Sequence, residues 1–247
     1  MDIEERYQVV LDRVATAADR ACRPATDITL VAVTKTWPAE TVVAAHRAGM
    51  RHFGENRAAE LTEKRPAVEA VLGPDSGIAW HAIGALQSRK TNMIADAADV
   101  FHALDRAKIA NRLSRRLVEN GRAESDPLPV FIEVNLSGEA SKSGLECSEW
   151  ESAVGQRQSL RQLAALVQEL PGLVPQGLMT MAPWQVEDEV IRRVFRGTRQ
   201  LAQWLQDAEP DGRWLGLSMG MTDDFEIAIE EGATHIRVGR AIFGPRN

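Results

Sequence analysis

A lysine at the mouth of a buried strand is the first residue in this chain equipped for covalent chemistry. Lys35 closes the apolar run Ile28-Thr-Leu-Val-Ala-Val-Thr-Lys35 and is one of five lysines, at positions 35, 64, 90, 108 and 142. All other basic residues are arginine or histidine. An amine partly withdrawn from water has a depressed pKa and is neutral more of the time, and it can then form a Schiff base with an aldehyde. The alternative is a lysine whose stem packs on the strand while its head reaches water. Two further segments, Ser218-Met219-Gly220 and Val238-Gly239-Arg240, offer a hydroxyl and glycines that let backbone N–H groups approach an anion such as phosphate. Either segment alone could be a simple turn. Arg237 precedes Gly239 by two residues and shares its side of the strand by alternation. Once buried it needs a partner, either a carboxylate such as Glu133 or Glu55 or an acceptor on a ligand.

Such residues act only if the fold gathers them. The spacing of Ile3, Val9, Val10, Val14, Ala17 and Ala18 predicts a leading helix over 2–21, ending before Pro24. Apolar runs then recur near 28–35, 51–55, 79–84, 100–105, 129–136, 175–181, 214–219 and 234–239. Helical stretches lie between them at 39–49, 57–71, 87–97, 106–120, 148–170, 187–208 and 223–231, several closed by Gly49, Gly121, Gly172 or Gly232. Eight β-α units in 247 residues predict a closed (β/α)8 TIM barrel of the α/β class with an extra N-terminal helix. Strands such as Val130-Phe-Ile-Glu-Val-Asn135, apolar on both faces, suit parallel strands covered by helices. An open doubly wound sheet is the rival, but no Gly-x-Gly-x-x-Gly follows the first strand.

No proline-rich or serine-rich linker divides the chain, so one domain over 1–247 is expected, with the polar stretch 120–129 as a structural loop on the lower face. Barrel chemistry collects where strands end. Thr34-Lys35-Thr36, Phe53-Gly-Glu-Asn56, Trp80-His-Ala-Ile-Gly84 followed by Leu86-Gln-Ser-Arg-Lys90, Glu133-Val-Asn-Leu-Ser137, Gly177-Leu-Met-Thr-Met181, Leu217-Ser-Met-Gly-Met-Thr222 and Arg237-Val-Gly-Arg240 all fall at such ends.

A formal charge of -6 argues against a general nucleic-acid or anionic-membrane surface, since both depend on a basic face. No apolar stretch approaches membrane-spanning length and Met1-Asp-Ile-Glu-Glu-Arg6 does not resemble a leader, so the cytoplasm is the default compartment. Cys22 and Cys147 form no Cys-x-x-Cys pair and read as two reduced thiols. His46, His52, His81, His102 and His235 show no ligand spacing, and no metal is expected.

Together, Val33-Thr-Lys-Thr36, Phe53-Gly-Glu-Asn56, Trp80-His-Ala-Ile-Gly-Ala-Leu-Gln87, Val134-Asn-Leu-Ser-Gly-Glu139 with Lys142-Ser-Gly144, Gly177-Leu-Met179 and Leu217-Ser-Met-Gly-Met-Thr-Asp-Asp-Phe225 with Arg237-Val-Gly-Arg-Ala-Ile-Phe-Gly244 resemble the pyridoxal phosphate homeostasis proteins. The motifs span nearly the whole chain in that family's order. The resemblance implies a barrel like the N-terminal domain of alanine racemase, with pyridoxal 5'-phosphate (PLP) held as a Schiff base on Lys35. It also implies that Ser218 and Gly239 contact the phosphate, with Met219 and Gly220 as secondary contacts, that Arg237 faces the pyridine nitrogen, and that Asn56 lines the pocket. An arginine there disfavours protonation of the ring and weakens the cofactor as an electron sink. The chain departs from the family pattern at Trp37, Arg57 and Arg89, all expected at the rim of the site.

The implied function is intracellular PLP homeostasis: buffering, delivering or protecting the cofactor with little or no turnover, and an indirect effect on amino-acid and keto-acid metabolism. The alternative is a PLP-dependent amino-acid racemase. Racemases of the alanine type take a tyrosine as second base from a further domain across a dimer, whereas this chain has only Tyr7, in its leading helix, and no length for a second domain. His81 or His102 would have to replace it, but each fits a hydrogen-bonded core histidine better. The expected partners are PLP and PLP-dependent apo-enzymes, and the missing tyrosine removes one reason for a dimer, so a monomer is expected. A cofactor-free interaction module would explain the polar strand ends but not the glycines together with Lys35. Lys142, in the loop after the fifth strand, is a second candidate amine for PLP, or else a solvated loop lysine.

Overall fold

Aliphatic side chains facing both layers make β1 (Thr29–Val33) a central strand, with Val31, Ala32 and Val33 all buried. It pairs in parallel with β2 (His52–Glu55) on one side and β9 (His235–Val238) on the other, Ala32 lying opposite both Phe53 and Val238. β3 (Ala79–Ala82), β4 (Val100–Leu104), β5 (Leu128–Asn135), β7 (Leu173–Met179) and β8 (Gly216–Ser218) continue the circuit in parallel. The β8–β9 pairing completes it, and eight strands close as a (β/α)8 TIM barrel, as expected. This computed structural model describes residues 1–139 and 141–245; Ala140, Arg246 and Asn247, within the expected 1–247 domain, lie outside them.

The helices between the strands are α2 (Ala39–Arg47), α3 (Ala58–Leu72), α4 (Thr91–Ala97), α5 (Ala107–Glu119), α6 (Arg122–Ser125), α7 (Val154–Glu169), α8 (Asp188–Ala208) and α9 (Phe225–Glu230), and α10 (Arg240–Phe243) follows the last strand. None of the described helices is long and apolar enough to cross a membrane. The leading helix α1 (Ile3–Arg20) lies against the end of the chain: Arg13 pairs with Glu226, and Arg20 with Glu230. A reciprocal cap starts it, the Glu5 N–H donating to Asp2 Oδ1 at 2.9 Å and the Asp2 N–H to Glu5 Oε2 at 3.0 Å. Asp2→Ala is expected to cost about 1 kcal/mol in a urea melt; an unchanged midpoint would show that the cap contributes nothing.

Three local features differ from the expectation. The helix expected from 148 begins at Val154, because the Glu149 carbonyl accepts from the N–H groups of Ser152 and Ala153 and the Glu149 N–H is taken by Gln156 Oε1. A two-residue strand, β6 (Leu145–Glu146), pairs with the end of β5 outside the barrel and has no counterpart in the hydrophobic pattern. The 120–129 loop carries the single turn α6, entered through Gly121 in the left-handed region. Gly177 is the tightest point of the barrel wall, since a Cβ on it would lie 1.8 Å from the Gly216 carbonyl oxygen across the β7–β8 pair.

The barrel interior is polar for its depth. His81, His102, Glu133, Ser218 and Arg237 are all buried there, with Phe131 stacked on the His102 ring.

Candidate functional site

A cavity of about 400 Å³ opens where the strands end, and it is lined by residues that follow or close β1, β2, β3, β5, β7, β8 and β9. This volume suits a small organic ligand. Lys35, Asn56, Arg237 and Gly239 line it together, so four of the residues singled out in the sequence meet in one place. Glu133, Ser143, Met181, Trp184, Met221 and Thr222 share the wall. Trp184 stands at the mouth, 69% exposed.

Lys35 is half-buried. Both of its neighbours in the chain are tied down by one ionic network. Thr36 has φ 70°, a left-handed conformation that a β-branched residue adopts at a cost, and its N–H donates to Glu60 Oε1 at 2.5 Å. On the other side, Thr34 Oγ1 donates to Glu55 Oε1 at 2.7 Å, and the Thr34 carbonyl accepts from Lys64 Nζ at 2.9 Å. Lys64 Nζ joins the two halves, donating to Glu55 Oε1 at 2.6 Å and Glu60 Oε1 at 2.9 Å.

Burial pushes the Glu55 carboxyl above its usual range, offset in part by the bonds from Lys64 and Thr34. For Glu60, the upward push of burial is outweighed by the bonds from Lys64 and the Thr36 N–H, which hold it below the usual range. The sequence signal for this network is the Glu60/Lys64 pair, four residues apart on the helix after Glu55. That spacing marks a surface pair as readily as a buried one.

Arg237 is 5% exposed, and burial draws its pKa down to about 10 against the opposing pull of Asp224 and Glu133. Its Nη1 donates to Ser218 Oγ at 2.6 Å and its Nη2 to the Thr180 carbonyl at 3.0 Å. Among the described residues no carboxylate lies within 4.0 Å of the guanidinium. The carboxylate alternatives for its partner are thereby corrected: Glu55 is taken by Lys64, and Glu133 acts on Arg237 only at longer range.

The Ser218 segment lies deeper than the cavity wall. Ser218 is fully buried and does not line the cavity; its hydroxyl lies between Arg237 and His102 Nδ1, the latter at 2.7 Å. Met219 is buried as well, its N–H donating to the His235 carbonyl, and the Gly220 carbonyl accepts from the Arg237 N–H. From the same motif Thr222 lines the cavity, beside Gly239 and Arg240. A Cβ on Gly239 would lie 3.2 Å from the Val33 carbonyl oxygen, so the backbone there runs close to β1.

Lys142 lies outside the cavity wall, its Nζ donating to the Met181 carbonyl at 3.1 Å and pairing with Glu139. The three departures from the family pattern also lie off that wall. Trp37 packs on Phe243 with ring centroids 6.2 Å apart, Arg57 opens α3 as its N-cap, and Arg89 donates to Gln87.

Glu133 lines the cavity as well, whereas Trp184, on the same wall, carried no signal in the sequence. Burial, helped by the charge of Asp105 and opposed by Arg237 and a bond from Ser143, pushes the Glu133 carboxyl up to about 7. Its Oε2 is buried with no hydrogen-bond partner among the described residues. Both cysteines are free, and burial pushes the Cys147 thiol up to about 12.

Comparison with known proteins places this geometry in a family. Residues 9–247 match the family described as alanine racemase, N-terminal domain. The pyridoxal phosphate homeostasis protein of Escherichia coli K12 is 40% identical over 248 residues, covering 100% of this chain and 97% of that one. The protein of the same name from Aquifex aeolicus is 35% identical, with 100% and 99% covered. The solved structure of PipY from Synechococcus elongatus PCC7942 with PLP bound superposes with a TM-score of 0.80 at 32% identity, covering 98% of this chain and 100% of that one. Alanine racemase from Clostridium difficile 630 shares the fold at 12% identity, with a TM-score of 0.68 and 57% of its length covered. With full-length relatives at this identity, the chain belongs to the pyridoxal phosphate homeostasis protein family.

Proposed function

We propose that this protein binds PLP through Lys35 and serves PLP homeostasis, buffering, delivering or protecting the cofactor with little or no turnover. The observation that carries the proposal is a buried arginine with no carboxylate within 4.0 Å among the described residues, lining the same cavity as a half-buried lysine. Such an arginine wants an acceptor, and a pyridine nitrogen is one. The names of the relatives, and PLP in the PipY structure, support this reading.

When bound, PLP supplies an aldehyde that condenses reversibly with an amine. The chain supplies the rest. Lys35 presents the amine, held by the Glu55–Lys64–Glu60 network through Thr34 and Thr36. Arg237 donates toward the ring nitrogen. The Thr222 hydroxyl and the backbone of Gly239 and Arg240 receive the phosphate, in place of Ser218, which holds Arg237 from beneath. Asn56 and Trp184 border the entrance. On this reading the protein acts as one domain over 1–247, monomeric and cytoplasmic, and passes PLP to apo-enzymes.

The racemase alternative lacks its second base. Among the described residues no tyrosine lines the cavity, and Tyr7 lies on α1. His81 and His102 bond to one another in the core, 2.8 Å apart, rather than lining the cavity.

Borohydride reduction of the PLP-loaded protein followed by peptide mapping is expected to find pyridoxyl on Lys35, and Lys35→Ala is expected to lose the visible absorption band. Label on Lys142 alone, or a band that survives in Lys35→Ala, would refute the assignment.

A further inference from the structure

Three of the histidines in the barrel form with Ser218 an unbroken hydrogen-bonded chain that ends on Arg237. His52 Nδ1 lies 3.0 Å from His81 Nε2, and His81 Nδ1 lies 2.8 Å from His102 Nε2. His102 Nδ1 lies 2.7 Å from Ser218 Oγ, which accepts from Arg237 Nη1 at 2.6 Å. The chain runs from half-buried His52, at the start of β2, through β3 and β4, and then crosses the interior to β8 and β9. Phe131 stacks on the His102 ring with centroids 4.7 Å apart, and His235 packs edge-on to it.

All three rings are neutral at ordinary pH. Burial lowers His81 and His102 well below the histidine range, helped at His81 by His235 and His52, and at His102 by His81, His235 and Arg237; burial lowers His52 as well. A neutral imidazole donates from one nitrogen and accepts on the other, so each link fixes the next. Arg237 can only donate, and Ser218 Oγ therefore accepts from it. The serine hydrogen then needs an acceptor, and among the described partners His102 Nδ1 supplies it. His102 consequently carries its hydrogen on Nε2 and donates to His81 Nδ1, and His81 in turn donates from Nε2 to His52 Nδ1. The opposite order would make Ser218 accept twice and orphan its own hydrogen in a fully buried position, which folded proteins avoid.

We propose that this one-way chain, from Arg237 through Ser218, His102 and His81 to His52, takes the place of a carboxylate beneath Arg237. Donation by Ser218 into the imidazoles makes its oxygen a stronger acceptor for the guanidinium. A carboxylate in that position would neutralise Arg237, whereas a neutral chain holds it and leaves its charge to a ligand acceptor in the cavity. His102 and His81 are thus positioning residues for the ring-nitrogen contact. This rests on the PLP reading above only for the identity of the acceptor.

Nitrogen NMR of the ¹⁵N-histidine-labelled full chain, without added PLP, is expected to show His81 and His102 as Nε2–H tautomers with Nδ1 accepting. An Nδ1–H form at either ring overturns the order of the chain, whether or not PLP binds. PLP affinity, followed by fluorescence titration, tests the positioning role. His102→Leu removes the acceptor for Ser218 and is expected to weaken PLP binding about tenfold, while His102→Asn, whose Oδ1 can stand near the Nδ1 position, recovers most of the loss. Equal affinity in both variants and the unaltered protein overturns the positioning role. Failure of the unaltered protein to bind PLP refutes the cofactor reading instead and leaves the tautomer result to stand alone. If His102→Leu does not fold, the tautomers and His102→Asn still decide.

Discussion

Replacing Lys64 by methionine is expected to destabilise the barrel by about 3–5 kcal/mol. Lys64 is 6% exposed and spends its three donors on the Thr34 carbonyl, Glu55 Oε1 and Glu60 Oε1. Glu55 is the residue that suffers from its loss. That carboxyl is 1% exposed, and its Oε2 already lacks a partner among the described residues, so the variant would bury a carboxylate with Thr34 Oγ1 as its remaining donor. Methionine keeps the length of the stem, which confines the change to charge and hydrogen bonding. The double variant Glu55→Gln/Lys64→Met removes the charge as well and should regain much of the loss. Urea melts at pH 7 measure both, and a single variant as stable as the parent would mean that the pair is not buried as the structure has it. Because the same network holds Thr34 and Thr36, Lys64→Met should also slow the appearance of the PLP absorption band.

Glu133→Gln is expected to stabilise the protein at pH 8 by up to about 3 kcal/mol and to change little at pH 4. The folded-state pKa of Glu133 is raised from 4.5 to about 7, with burial as the main cause. Between those values the folded state holds a proton that the unfolded state has released. Stability therefore falls as pH rises through this window and levels off above it, once both states are ionised. Glutamine cannot ionise, so the variant lacks this decline. It also offers an N–H₂ toward the Asp105 side of the carboxyl. The difference in unfolding free energy between pH 4 and pH 8 should be smaller in the variant by that amount, and parallel pH curves for the two proteins would contradict the buried, high-pKa carboxyl.

The barrel was legible because parallel strands buried on both faces leave continuous apolar runs: six of the eight runs contain their strand, and those at 129–136 and 175–181 overlap β5 and β7, which begin one and two residues earlier. Short elements were less so: two residues of β6 carry no periodicity, and the turn at 148–153 is set by a side-chain bond from Gln156 that no local pattern encodes. In the site, alternation correctly puts Arg237 and Gly239 on one side of β9, but it says nothing about depth. Ser218 and Thr222 are four residues apart in one motif, and only the course of the chain after β8 decides which of them reaches the cavity wall. The partner of Arg237 was equally hidden. A buried cation suggests a carboxylate, whereas the acceptor comes from β8 and is backed by histidines from β2, β3 and β4, whose meeting depends on closure of the barrel.

The seam between β1 and β9 gives the protein a timetable during its own synthesis. Lys35 leaves the ribosome well ahead of Arg237 and Gly239, which line the cavity with it and stand about 200 residues later. At roughly 5–20 residues per second, the amine waits some 10–40 s, in order of magnitude, for the strand that completes its cavity. Nascent chains cut short anywhere before β9 should lack a finished pocket, so retention of PLP becomes a proofreading mark carried by completed barrels.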